Sequence, residues 1–147
     1  MLKDLCARLS YGVKVAFFNE DLTYHSEPKT LTGIECINSL NYSSLEDEDG
    51  NTTIVEFCRP YLFPLSSMTE EQALELYKLF GINLIDSAGA DYIKINEVTG
   101  ITFFLRKGFD VETHLDKLID WLLKNHFDFR GLIPMGHALD ATGLNIY

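Results

Sequence analysis

The sequence predicts an α+β fold in a single domain, residues 1–147. A small bent antiparallel sheet, a partial barrel, comes first; a mid helix, a β-hairpin and a long C-terminal helix with a packed tail follow. Three observations carry this. From Val13 to about position 58 apolar residues recur with period two between clusters of turn formers, which is the pattern of short strands joined tightly. Two later stretches, 69–81 and 110–125, change to a period of about 3.6 and open with helix-start signals. A chain of 147 residues that is 46% hydrophobic and 23% charged can bury a core without disulfides or metal.

In order along the chain, Leu2, Leu5, Cys6 and Leu9 form one stripe of a short helix over 2–9, broken by Tyr11-Gly12. Val13, Val15 and Phe17 share one face of a first strand, which ends in the turn Asn19-Glu20-Asp21. A second strand is expected over 22–26 and a third over 30–38, where Leu31 and the β-branched Thr32, Ile34 and Ile37 favour extended backbone. Gly33 inside it marks a bulge or bend. Residues 40–45 and 52–58 supply two more strands around an acidic turn at 46–51, and 59–65, with Pro60 and Pro64, reads as an edge or linker leaving the sheet.

The mid helix opens with Thr69 as N-cap and Gln72 three residues on, a capping box, with Met68 and Ala73 as its hydrophobic staple. Glu70 and Glu71 suit the positive end of the helix dipole. Ala73, Leu74, Tyr77 and Phe80 form the expected buried stripe, and Gly81 the cap. A strand over 82–86 and a turn over 87–90 lead to a hairpin, 92–97 with 101–106, about Thr99-Gly100. Asp110 caps the last helix, 111–125, whose stripe is Val111, Leu115, Leu118, Ile119 and Leu122 with Trp121 beside it. Asp116, Asp120 and Lys124 lie opposite.

Composition excludes several classes. A net charge of −10, from 12 basic and 22 acidic residues, argues against a broad surface for duplex nucleic acid, which needs clustered Lys and Arg; a pocket with two or three Arg remains compatible. No apolar run approaches the roughly 18 residues of a membrane span, and the N-terminus lacks the apolar core of a signal peptide. Cys6, Cys36 and Cys58 form no C-x-x-C and read as small buried hydrophobes in a reducing compartment.

The residues most able to carry chemistry lie after Asp110, where three of the four His and the single Trp occur. If the segment 126–130 is extended, His126, Asp128 and Arg130 share one face while Phe127 and Phe129 anchor the other. Asp128 could then orient His126 as a base, and Arg130 could clamp a phosphate or carboxylate with its fork of donors. The ordinary structural alternative pairs Asp128 with Arg130 and lets His126 end the helix. His126, Asp128, His137 and Asp140 are zinc-ligand types without a metal-site spacing, so neither metal nor cofactor is assigned. The nucleophile-elbow, P-loop and dinucleotide glycine patterns are absent, which favours a binder over an enzyme. The apolar tail, around 132–135 and 144–147, packs on its own domain or docks on a second copy to make a homo-oligomer.

Two segments, Arg59-Pro60-Tyr61-Leu62-Phe63-Pro64-Leu65-Ser66-Ser67-Met68-Thr69-Glu70-Glu71 and His126-Phe127-Asp128-Phe129-Arg130-Gly131-Leu132-Ile133, followed by Ala138-Leu139-Asp140, carry a family likeness. They resemble a family of small uncharacterised proteins encoded by phages and integrated mobile elements of gut anaerobes. Phe129 stands where that family usually has Tyr. The resemblance implies an accessory protein acting in the cytoplasm of a bacterial host, and it brings no activity or residue role. The leading expectation is a non-enzymatic, anti-defence protein that sequesters a nucleotide-like signal, with Arg130, Arg59 and Arg106 for phosphate, Tyr147 for base stacking, and His126 and Asp128 completing the site. The alternatives are an acidic module that inhibits a host protein and a small hydrolase using His126 and Asp128.

Overall fold

The computed structural model describes residues 1–23, 25–37, 42–80, 92–96, 100–104 and 111–147; at 36, 37, 42, 73, 77, 80, 92–96, 100–104 and 111–115 the description is of backbone alone. Its elements are α1 (Leu2–Arg8), β1 (Lys14–Phe17), β2 (Lys29–Ile37), β3 (Tyr42–Asp47), β4 (Thr52–Ile54), β5 (Cys58–Leu62), α2 (Glu70–Phe80), β6 (Tyr92–Asn96), β7 (Gly100–Phe104), α3 (Val111–Lys124) and β8 (Leu139–Asp140). Six strands form one sheet in the order β4-β3-β2-β1-β5-β8, which does not close; β6 and β7 pair as the expected hairpin. The fold is α+β. All neighbours in the large sheet run antiparallel except β5 and β8, which pair in parallel at Tyr61 with Leu139 and Leu62 with Asp140, so the tail makes the sheet mixed.

Local sequence explains most of these elements. The register of β2 on β3 shifts between Leu31 and Gly33, and the bulged Thr32 donates its hydroxyl to the carbonyls of Glu46 (3.1 Å) and Asp47 (2.9 Å). A Cβ at Gly33 would meet Glu46 at 3.4 Å, so the strands approach closely there. The acidic turn is closed by Asp47, 2% exposed, whose Oδ1 accepts the Asp49 and Asn51 amides at 2.9 Å each. At α2 the capping box forms: the Thr69 amide donates to Gln72 Oε1 (2.9 Å) and the Gln72 amide to Thr69 Oγ1 (3.3 Å).

Several expectations are corrected. Residues 22–26 are not a strand; Phe18 and His25 make one isolated bridge. There Asp21 Oδ1 accepts the amide (3.0 Å) and hydroxyl (2.5 Å) of Thr23, and Leu22 turns at φ 58. Such side-chain bonds to nearby backbone compete with a ladder. The strand expected over 52–58 is split by a 3₁₀ turn at Val55–Phe57. The next stretch is no linker but β5, in the interior of the sheet, with Pro60 opposite Val15. In α2 Leu76 is buried (1% exposed) and Leu74, expected in the buried stripe, is 49% exposed; the side chains of Ala73, Tyr77 and Phe80, the rest of that stripe, lie outside the described residues. In α1 Cys6 faces solvent, while Asp4 and Arg8 are buried. The strand, turn and caps expected at 81–91 and at Asp110 lie outside the described residues.

The sheet is covered on both sides. Leu5 of α1 packs with Val13, Val15, Leu31 and Leu45, joined by Leu132 and Ala138 of the tail. On the other face Ala16, Tyr61 and Ala141 pack under Phe63 and Ile146. A third cluster joins α2 to α3 through Leu76, Leu118, Trp121 and Leu122, with Phe127. Each such fully buried large side chain contributes about 1.5–3 kcal/mol, which is what holds the tail on its own domain. Among the described residues no helix is long and apolar enough to cross a membrane.

Candidate functional site: an arginine cluster beneath the tail

The chain leaves α3 through His126, a non-glycine residue held at φ 58. The amides of His126 and Phe127 donate back to Leu123 O (3.1 Å) and Leu122 O (2.9 Å) and close the helix end. The segment then lies along residue 63: the Phe63 amide donates to His126 O (3.0 Å) and the Asp128 amide to Phe63 O (2.8 Å). That is a single parallel bridge at Phe127, not a strand, and His126, Phe127 and Asp128 are all buried. The expected alternation, with a polar triad on one face, is therefore corrected. The left-handed turn at His126 and the tight turn after Asp128 break the two-residue period.

Asp128 serves that tight turn. Its Oδ1 accepts the Leu132 amide at 2.8 Å and its Oδ2 the Ile133 amide at 2.7 Å, around Gly131 at φ 70. With both oxygens bonded to backbone, Asp128 does not orient His126, and the base–carboxylate dyad expected for a hydrolase is not formed. Arg130 turns away from Asp128 to Asp4.

Asp4 and Arg8 stand one helical turn apart on α1, and sequence reasoning missed them. Arg8 is 0% exposed; its Nε donates to Asp4 Oδ2 at 2.7 Å, and its Nη2 to Phe127 O at 2.8 Å and Asp4 Oδ1 at 3.4 Å. Arg130 Nη1 reaches the same Asp4 Oδ1 at 3.4 Å, from a side chain 38% exposed. Both guanidiniums lie against the Phe129 ring, at 5.7 and 5.0 Å from its centroid. Two cations thus share one buried carboxylate, and Arg8 Nη1 has no hydrogen-bond partner among the described residues. The i, i+4 spacing of Asp4 and Arg8 was the available signal.

His126 sits beside this cluster. Its ring stacks on Tyr147, with centroids 3.8 Å apart and planes at 15°, and its Nδ1 also has no hydrogen-bond partner among the described residues. Burial, and then the Arg8 charge, push its pKa down to about 4, so the ring is neutral at pH 7. Tyr147 donates its hydroxyl to Tyr61 O (2.6 Å) and accepts the Lys14 amide (3.0 Å). The β1–β5 pairing includes Val15 with Pro60, and the phenol bridges the strands one position further on. Burial raises the pKa of that phenol, so it stays protonated.

The other expected residues lie apart. Arg59 donates through Nε to Gly136 O (2.8 Å) and through Nη1 to the carbonyls of Glu56 (2.7 Å) and Cys58 (2.8 Å), fastening β5 to the tail. Arg106 lies outside the described residues. Of the four zinc-type residues, His137 is exposed and Asp140 Oδ1 accepts the Thr142 amide at 2.8 Å. No group of three or more His, Cys, Asp or Glu able to hold a metal occurs among the described residues. Burial pushes the Cys58 thiol up to about 12, which makes it a poor nucleophile.

The arrangement gathers groups of the kind that take an anion: Nη1 of Arg8, without a partner among the described residues, the Arg130 guanidinium, reachable from solvent, and a neutral imidazole beside them. No protein-family model, no curated protein and no solved structure matches this chain.

Proposed function

We propose that this chain is a non-enzymatic binding protein for a small anionic, nucleotide-like molecule, held at the cluster of Arg8, Arg130 and His126, beside the Tyr147 ring. The observation that carries this reading is the buried Nη1 of Arg8, a charged donor without a partner among the described residues. Leaving such a group unbonded costs about 1–3 kcal/mol or more, and an anion removes that cost on binding. The net charge of −10 disfavours extended polyanions and leaves a small one as the fitting ligand. Sequestration of a host signal by a product of a phage or mobile element, in a bacterial cytoplasm, is the biological setting that the family resemblance suggests.

A second reading has its own observation. Leu74 and Leu79 of α2 are 49% and 54% exposed, beside the exposed Glu71, Glu75 and Lys78, which suits an acidic module docking on a host protein.

Mass spectrometry of the purified protein, native and then denaturing, separates the two. An added mass that is lost on denaturation, or that appears on incubation with adenosine 5′-monophosphate, supports the ligand reading. A bare mass under both conditions moves the weight to the α2 surface.

A further inference from the structure

Resting on that reading, we infer that the ligand carries a planar heterocycle as well as an anion, and that Tyr147 occupies the heterocycle's place. Three observations on the Tyr147 side chain converge. The His126 ring offers one face, and the Tyr147 ring covers it at 3.8 Å and 15°, the geometry of a stacked base on an aromatic platform. The Phe63 ring closes a second side at 5.7 Å with a 55° tilt, so the slot accepts a flat group. At its inner end the Tyr147 hydroxyl satisfies one backbone donor, the Lys14 amide, and one backbone acceptor, the Tyr61 carbonyl.

A donor and an acceptor that both converge on one oxygen match the edge of a nucleobase, which carries a ring nitrogen next to an exocyclic amino group. A phenol can meet both with its single hydroxyl; a base meets them with two adjacent atoms. The anionic group of the same ligand is supplied with donors close by. Arg8 bonds Phe127 O, the carbonyl of the residue next to His126, and its Nη1 has no partner among the described residues. The chain itself therefore competes with the ligand for the slot. Apparent affinity equals intrinsic affinity multiplied by the fraction of molecules in which Tyr147 has left, so loosening Tyr147 must tighten binding.

The test measures binding of adenosine 5′-monophosphate, adenosine and inorganic phosphate to wild type, Tyr147→Ala and Tyr147→Phe by isothermal titration, with circular dichroism to confirm folding. Tyr147→Ala is expected to bind the monophosphate and adenosine about tenfold tighter than wild type, with phosphate affinity unchanged. Tyr147→Phe keeps the ring, loses both backbone bonds, and should give a smaller gain in the same direction; it decides the matter if the alanine variant does not fold. Equal affinities of wild type and variants for the monophosphate and for adenosine overturn the inference even where phosphate binds. Loss of phosphate binding alone overturns the anion reading, while adenosine binding to the variants still supports the slot.

Discussion

Replacing Asp4 with Asn is expected to destabilise the protein by about 3–5 kcal/mol. The carboxylate is 1% exposed and faces two guanidiniums, taking Arg8 Nε at 2.7 Å and Arg130 Nη1 at 3.4 Å. The asparagine amide keeps one neutral oxygen and turns an NH2 donor toward the guanidiniums, so Arg8, itself 0% exposed, is left with neutral acceptors alone, that amide oxygen and the carbonyl of Phe127. Breaking a buried pair by removing one partner is costly because the other charge stays desolvated. Against a stability of about 5–15 kcal/mol for an ordinary domain the loss is large, and at about 2–4 °C per kcal/mol it lowers Tm by roughly 10 °C. Urea unfolding followed by Trp121 fluorescence reads it out, since that indole is the single Trp and is 6% exposed in the fold. The double variant Asp4→Leu/Arg8→Met removes both charges and should recover to within about 1 kcal/mol of wild type. A loss below about 1 kcal/mol in Asp4→Asn, or a double variant as unstable as the single one, would refute the buried-pair argument.

Further outcomes follow from the same geometry. The lowered pKa of His126 means its neutral form stabilises the fold: that contribution is complete above pH 6.5 and is lost as pH falls from 6.5 to about 4. It amounts to about 2 kcal/mol after allowance for solvent screening, and His126→Asn, which tolerates the positive φ, should flatten urea stability across that window. Asp128→Ala frees one buried and one part-buried amide that bond at 2.8 and 2.7 Å, so stability should fall by about 2–3 kcal/mol in denaturant titration, with binding weakened only through loss of fold. Thr69→Ala removes one arm of the capping box and should lower stability by about 1 kcal/mol, whereas Thr69→Ser should leave it unchanged.

What was legible in the sequence was local. The Thr69–Gln72 box and the bend at Gly33 each depend on residues a few positions apart, and each forms where its signal lies; the hairpin also forms, with Gly100 paired to Asn96 in the second strand and not in the turn expected there. Long-range pairing was not legible. Nothing local says that residues 139–140 pair in parallel with β5, or that Pro60 is tolerated inside a strand. In α2 the stripe read from the sequence included Leu74, which the structure leaves 49% exposed, and passed over Leu76, which it buries, because the partner surface decides which apolar side chains turn inward. The site was half legible for the same reason. Residues 126–130 were singled out correctly as a dense polar and aromatic segment, but the partner of Arg130 is Asp4, 126 positions earlier. Buried Asp4 and Arg8 looked like the solvated side of a short helix, which is where charged residues ordinarily fall.

Anion binding at the arginine cluster is read out by titration of wild type and Arg130→Gln with adenosine 5′-monophosphate. Arg130 is 38% exposed, so its loss should leave the fold intact while removing the guanidinium nearest solvent. Wild type is expected to bind saturably and Arg130→Gln about tenfold or more weakly, with both proteins equally folded at the start. Equal affinity in the two proteins, or no binding to wild type at millimolar ligand, would contradict anion binding at the cluster.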